Sequence, residues 1–343
     1  AEALGPEEGR EAFAWLRGLS FVEHGPEGLF PHDLVRDVLD ADLRWRNPEG
    51  YRRMHRQVRA HVVRRLRTST GLERQRACYE LLFLHRQQPW MKPYIEWKGM
   101  GGVYAEPADP RDHADILDLV RHHEGATSAN IAAYWLQRQP RAFMVFRGAS
   151  GARPLGFMAA LILSDVTPED LQVDPAVAAA WRYVRRHGPL RGGECVLYHR
   201  YWMGREGYQE PSVQTVVAIV STGMYLTTPG LAWTFPVGAA PDFWEPMFTY
   251  LNFCRAREAD FEVDGRYGVF AHDWRIEPAE VWLERMGERE IDLDFRPGQV
   301  DLVATTPLVA LSQPAFFAAV RQALRHYTRP EALASNPLLR SRV

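Results

Sequence analysis

The stretch over residues 193–250 constrains the fold of this chain more than any other. It reads GECVLYHRYWMGREGYQEPSVQTVVAIVSTGMYLTTPGLAWTFPVGAAPDFWEPMFTY. Cys195 to Met203 carries the β-branched and aromatic residues of a strand. Two glycines and a proline break that run between Gly204 and Pro211. Ser212 is placed to cap a helix over Val213 to Leu226, and Pro229-Gly230 ends it. Leu231 to Val237 then reads as a short strand, and Pro241 to Asn252 as a second helix with Asp242 near its start. A strand that feeds a glycine-bearing loop into a helix N-terminus points unpaired N–H groups and the helix dipole at one spot, which suits an anion.

The rest of the composition bounds what surrounds this stretch. A chain of 343 residues has room for two or three domains, and 46% hydrophobic content supports a sizeable core. The net charge of −2 gives no whole-chain basic field, so composition does not argue for nucleic acid. Positive charge is nearly all Arg, since Lys occurs only at Lys92 and Lys98. Cys78, Cys195 and Cys254 are far apart and form no CxxC, which points away from a disulfide framework and towards a reducing compartment. No run reaches the ~18 apolar residues of a membrane span. The N-terminus lacks the layout of a signal peptide. The expectation is a cytoplasmic protein without membrane contact. Its start at Ala1 and end at LLRSRV read as the limits of a piece excised from a longer chain.

Along the N-terminal quarter, Glu11 to Leu19 is an amphipathic helix. Ser20 to Val22, the turn at His24 to Gly28 and Leu29-Phe30 form a small hairpin. Pro31 opens a helix with Leu34, Val35, Val38 and Leu39 on one face. An Arg-rich helix, Tyr51 to Arg67, and a further helix, Gly71 to Arg86, lead to a linker at Pro89 and Pro93. The segment LSFVEHGPEGLFPHDLVRDVLDADLRWRNPEGYRRMHRQVRAHVVRRL resembles the winged-helix and following helical segment of bacterial STAND-type regulatory ATPases. That resemblance implies a regulator whose nucleotide-binding domain lies outside this chain. No GxxxxGK[ST] phosphate loop is present, so ATP hydrolysis is not expected. The arginines of the Arg-rich helix read first as a solvated, ion-paired face. Contact with a phosphate backbone is the sharper alternative.

Beyond Gly102 the elements run β, α, α, β, β, β, α, β, α, β, β. An insertion between Asp165 and Pro189 carries two short helical runs, and a hairpin turns at Asp264-Gly265. The order resembles the GCN5-related N-acetyltransferase (GNAT) fold, over about half the chain. The resemblance implies that the fourth strand splays from the fifth and that acyl-CoA enters the gap. The family's pyrophosphate signature, [QR]-x-x-G-x-[GA], falls at the join RYWMGREGYQEPS. Gly204 and Gly207 stand there at a different spacing, with Pro211 near the helix start. The cofactor contacts implied are Trp202, Met203, Gly204, Arg205, Gly207 and Ser212. Tyr250 stands where such enzymes commonly place the acid for the departing thiolate.

A base for an acceptor amine has candidates in Glu194 and His199. Strict alternation over Cys195 to Met203 puts His199 on a face with Cys195, Leu197 and Tyr201. Glu194, Tyr198, Arg200 and Trp202 then share the other face. His272 beside Asp273 is a weaker pairing, because adjacent strand residues diverge. His122-His123-Glu124 lacks the spacing of a zinc site, and no metal is expected. The abundant aromatics, Trp202, Trp233, Phe235 and Trp244 among them, suit either a core or an apolar pocket. Near the C-terminus, Pro307 to Tyr327 contains a helix capped at Ser312, resembling a connector to a further module.

The fold expected is α+β. Residues 1–48 form a winged-helix-like module and 49–93 a helical segment and linker. Residues 94–290 form a GNAT-like mixed sheet flanked by helices, and 291–343 a helical tail. Two functions follow. One is an acyl-CoA-dependent N-acyltransferase. The other is a degenerate domain of the same shape that senses an effector, or binds a protein partner or the missing ATPase domain, with nucleic-acid contact not expected.

Overall fold

The computed structural model describes residues 6–25, 28–97, 102–148, 151 and 153–296. The helix expected over Pro307 to Tyr327 lies outside them. Two compact units divide the chain, residues 1–68 and 69–343.

The first unit is a helix, a two-stranded hairpin and two more helices. Pro6–Arg17 (α1) precedes Val22–Gly25 (β1) and Gly28–Pro31 (β2), which pair antiparallel. Asp33–Arg46 (α2) and Pro48–Thr68 (α3) follow. Asn47 ends α2 and starts α3, its Oδ1 accepting from the Gly50 amide at 2.9 Å. Pro48 fills the first helical position, where an N–H would be orphaned anyway. The apolar stripe read on α2 is largely uncovered among the described residues. Leu34, Val38 and Leu39 are exposed. On α3, Tyr51, His55, Val62 and Leu66 are buried at helical spacing while the arginines line the other positions.

The second unit is built on one mixed sheet. Gly71–Phe83 (α4) leads to Tyr104–Pro107 (β3), His113–Glu124 (α5), Ala126–Arg138 (α6), Phe143–Arg147 (β4) and Gly156–Leu163 (β5). The insertion supplies Pro168–Val173 (α7) and Pro175–His187 (α8). A Thr167/Asp170 capping box starts the first, and Asp174 accepting from the Ala176 amide starts the second. Then come Cys195–Gly204 (β6), Pro211–Thr227 (α9), Leu231–Gly238 (β7) and Pro241–Tyr250 (α10). Cys254–Arg255 (β8), Phe261–Glu262 (β9), Arg266–Asp273 (β10) and Ala279–Arg289 (α11) close the described unit. The strand order is β3-β4-β5-β6-β7-β10-β8, with β9 paired to β10. Every pairing is antiparallel except β6 with β7.

The α+β class, the mixed sheet and its flanking helices are as expected from the residues. One face of the sheet buries Trp135, Phe157, Tyr198, Tyr201 and Met203 among residues of α5, α6 and α8. On the other face α9 packs on β6, and α4 and α11 pack on α9. Burial of side chains this large removes on the order of 2 kcal/mol of apolar exposure each, so these two layers hold the central strands in place. Among the described residues no helix is long and apolar enough to cross a membrane.

Candidate ligand cleft

Strands β6 and β7 begin as partners and end apart. Their ladder runs from Cys195↔Leu231 to His199↔Pro236 and then stops. Both chains continue, to Gly204 and to Gly238. Two residues explain the parting. Pro236 has no N–H to donate, so it cannot extend the ladder. On the far side of β6, Ala159 pairs with Tyr201 and Ala160 with His199, which leaves Arg200 unpaired as a bulge. A bulge bends its strand and shifts the alternation of faces by one residue.

That shift corrects the expected faces. Tyr201 lies with Tyr198 in the core beside α5, α6 and α8, not with His199. Its hydroxyl donates to Ser128 O at 3.0 Å. Trp202 turns to the opposite face and packs edge-on against Trp244 of α10, ring centroids 5.3 Å apart. Strict alternation fails here because one inserted residue inverts every side chain beyond it.

Side chains bridge the parting. The Trp202 indole Nε1 donates to Val237 O at 2.6 Å, reaching from β6 to β7 where the ladder has ended. Trp202 is buried. Trp244 lies against the end of β7 so closely that a Cβ on Gly238 would stand 3.0 Å from its ring. Gln209 bridges the same end, its Oε1 accepting from the Ala239 amide at 2.8 Å.

The loop at Gly204 to Glu210 uses its own amides. Gly204 N donates to Gly207 O at 3.0 Å, and Arg205 N to Leu155 O at 2.7 Å. The Arg205 guanidinium turns away to Pro154 O and Asp115. His123 donates from Nε2 to Gly204 O at 2.9 Å and stacks on Tyr208. A Cβ on Gly207 would overlap the Glu210 carboxylate. A negative charge therefore sits against the loop, opposed to a second anion. Helix α9 starts at Pro211, earlier than expected, and its N-cap is Glu210 with no side-chain cap bond, not Ser212. Met203 points into the core on the α5–α6 side, fully buried.

The acid and base candidates are dispersed. Glu194 lies at the opposite end of β6, ten residues from Gly204 and so about 33 Å along the strand. Its Oε2 accepts from the Arg191 amide at 2.8 Å and faces Arg275 at 3.4 Å. Tyr250 is fully buried on α10, with its Oη 2.7 Å from His85 Nδ1. His85 Nε2 in turn lies 3.4 Å from Glu290 Oε1. Burial pushes the Tyr250 hydroxyl up. His199 is buried at the level where the ladder ends, its Nδ1 3.4 Å from Ser221 Oγ and its Nε2 without a partner among the described residues. Burial alone lowers its pKa to about 4, so the ring is neutral near pH 7. His272 and Asp273 do not form a dyad. His272 Nδ1 meets Asn252 O at 2.8 Å, and Asp273 holds Arg275. Among the described residues no cluster of His, Cys, Asp or Glu is set to hold a metal.

Sequence reasoning missed one buried polar cluster. Arg200, the bulged residue, has no side-chain exposure, and its Nε donates to both Asp174 oxygens at 3.0 and 3.2 Å. Glu124 lies 3.8 Å from Nη1 and accepts from Ser128 Oγ and Tyr208 Oη. Burial raises the Glu124 pKa, and Arg200 works against that. The Asp174-Pro175 helix start was a readable signal, but its partner across the sheet was not.

No protein-family model matches the chain, and no curated protein matches it. Two solved structures are similar over half of this chain and 98% of their own, each at 14% identity. One is described as the NatC complex bound to Gag peptide and CoA, with a TM-score of 0.30. The other is described as SsHAT, with a TM-score of 0.24. Both scores are too low to transfer a fold or a ligand.

Proposed function

We propose that the second unit is an acetyltransferase-shaped module whose acyl-CoA slot is filled by its own side chains, and that it serves a larger regulatory protein as an effector sensor or interaction domain. The observation that carries this reading is the Trp202 indole on Val237 O, spanning the two strands where they part. A cofactor chain lying there would need that carbonyl and that space. The Glu210 carboxylate beside Gly207 and the spent amides of Gly204 and Arg205 support the same reading, because a pyrophosphate needs free donors and no facing anion. The regulatory setting rests on the likeness of the first quarter of the chain to STAND-type ATPases.

An N-acyltransferase is the second reading. The parted parallel strands favour it, since a closed ladder would leave no slot at all. In that reading Trp202 swings out, and Tyr250 leaves His85 to reach a thiolate.

Calorimetry with acetyl-, propionyl- and longer acyl-CoA separates the two. The proposed module gives no saturable heat. Micromolar binding that is lost in Gly204→Pro or Gly207→Pro would replace it with the enzyme reading.

A further inference from the structure

The end of the sheet away from the parted strands carries an open trough. Two adjoining hollows make it up, of about 390 Å³ and 1020 Å³. Ile162 and Thr228 line both, so the trough is continuous across the last residues of β5 and the start of β6. Its floor is apolar: Ile162, Leu197, Met224, Leu190 and Trp181 lie along it. Ile162 is 38% exposed, although it belongs to a strand in the middle of the sheet order.

The reason is local. Strand β4 pairs with β5 only as far as Ala159. Beyond that the Gln139 side chain takes over, its Nε2 donating to Ile162 O at 2.9 Å and its Oε1 accepting from Ile162 N at 3.0 Å. A side-chain amide thus closes the edge hydrogen bonds but covers no more of the surface.

The rim is basic. Arg141, Arg185 and Arg191 line the trough, are exposed, and have no ion-pair partner among the described residues. Among the described residues Glu194 is the one acidic side chain lining the two hollows, and Arg275 and the Arg191 amide already engage it. In a chain of net charge −2, three unpaired arginines around one apolar floor are a local excess.

We infer that this trough docks an acidic peptide segment of a protein partner, with a bulky apolar residue seated on Ile162 and flanking carboxylates on Arg141, Arg185 and Arg191. Small-molecule sites are enclosed and bury most of their ligand. An extended, open trough fits an elongated chain instead. Arginine at the rim suits carboxylates by its forked donors. Rim charges act mainly on association rate and salt dependence, so the docking weakens with salt.

The inference does not depend on the state of the β6–β7 slot, which lies at the other end of β6. The test is selection of a phage-displayed random dodecapeptide library on the immobilised chain, followed by fluorescence anisotropy of the enriched peptides. Enriched sequences carry Asp or Glu on both sides of Leu, Phe or Trp. Their affinity falls at least about tenfold in Arg185→Glu/Arg191→Glu and in Ile162→Lys. Circular dichroism identical to the parent confirms that the variants fold. Peptides without acidic residues, or affinities unchanged in both folded variants, overturn the proposal. Acyl-CoA calorimetry is unaffected by either variant, so failure here is separable from failure of the proposed function.

Discussion

At the scale of single residues, the buried histidines separate structure from chemistry. His199 was read as a base on a strand, and it does stand at the mouth of the parting. Burial alone sets its behaviour, with Ser221 as its one polar contact among the described residues. Its pKa falls from 6.5 to about 4 on folding. Between those values the unfolded chain binds a proton that the folded chain refuses. Stability is therefore intact above pH 6.5 and falls as pH drops towards 4. The share from this one ring is on the order of 3 kcal/mol. His199→Gln should shrink the loss of stability between pH 7 and 4 by about that amount, measured by urea unfolding at several pH values. An identical pH slope in the variant would mean that the ring is already charged or solvated in the folded state. His272 moves in the same direction by burial, so part of the acid loss survives the substitution.

At the scale of elements, two junctions show how distant residues finish what local sequence begins. From the sequence, Ser128 is the residue suited to open helix α6. The helix starts at Ala126, and its first amides are capped from the β9–β10 turn. Asp264 accepts from Thr127 N at 2.7 Å and from Thr127 Oγ1 at 2.8 Å, and takes Ser128 N at 3.3 Å. Asp264 itself sits at φ 53° in the turn that Asp-Gly signalled. Gly125 is required beside it, at φ 99°, because a Cβ there would lie 2.6 Å from an Asp264 oxygen. Asp264→Ala should lower the Tm and speed amide exchange at Thr127 and Ser128, with little change at α9. Uniformly faster exchange across the unit would contradict a local cap. The turn was legible, since Asp-Gly between apolar runs has few other meanings. Its partner lies 137 residues away in the chain, a separation that no window of local pattern spans.

At the scale of the whole molecule, the order of elements in the second unit was largely readable. Periodicity and turn residues mark the strands and helices from Tyr104 to Arg289 well, and the class follows from them. What could not be read was a single inserted residue. The Arg200 bulge looks like any other strand position in YHRYWM, yet it sends Trp202 to the α10 face and Arg200 into a buried ion cluster. Whether Trp202 reaches across to β7 turns on that one residue. In the first unit the reverse happened. The α2 stripe was easy to see, but the described residues leave Leu34, Val38 and Leu39 exposed. A periodic face marks an amphipathic helix, and not whether another layer lies against it.

The filled slot is most directly tested at the Trp202 indole N–H. In ¹⁵N-labelled protein that resonance is identified by its loss in Trp202→Phe. A buried bond to Val237 O predicts slow exchange with water, and a shift that stays fixed as acetyl-CoA is raised to about 1 mM. A saturable displacement of that resonance by acetyl-CoA would contradict the account and show that the side chain yields to the cofactor.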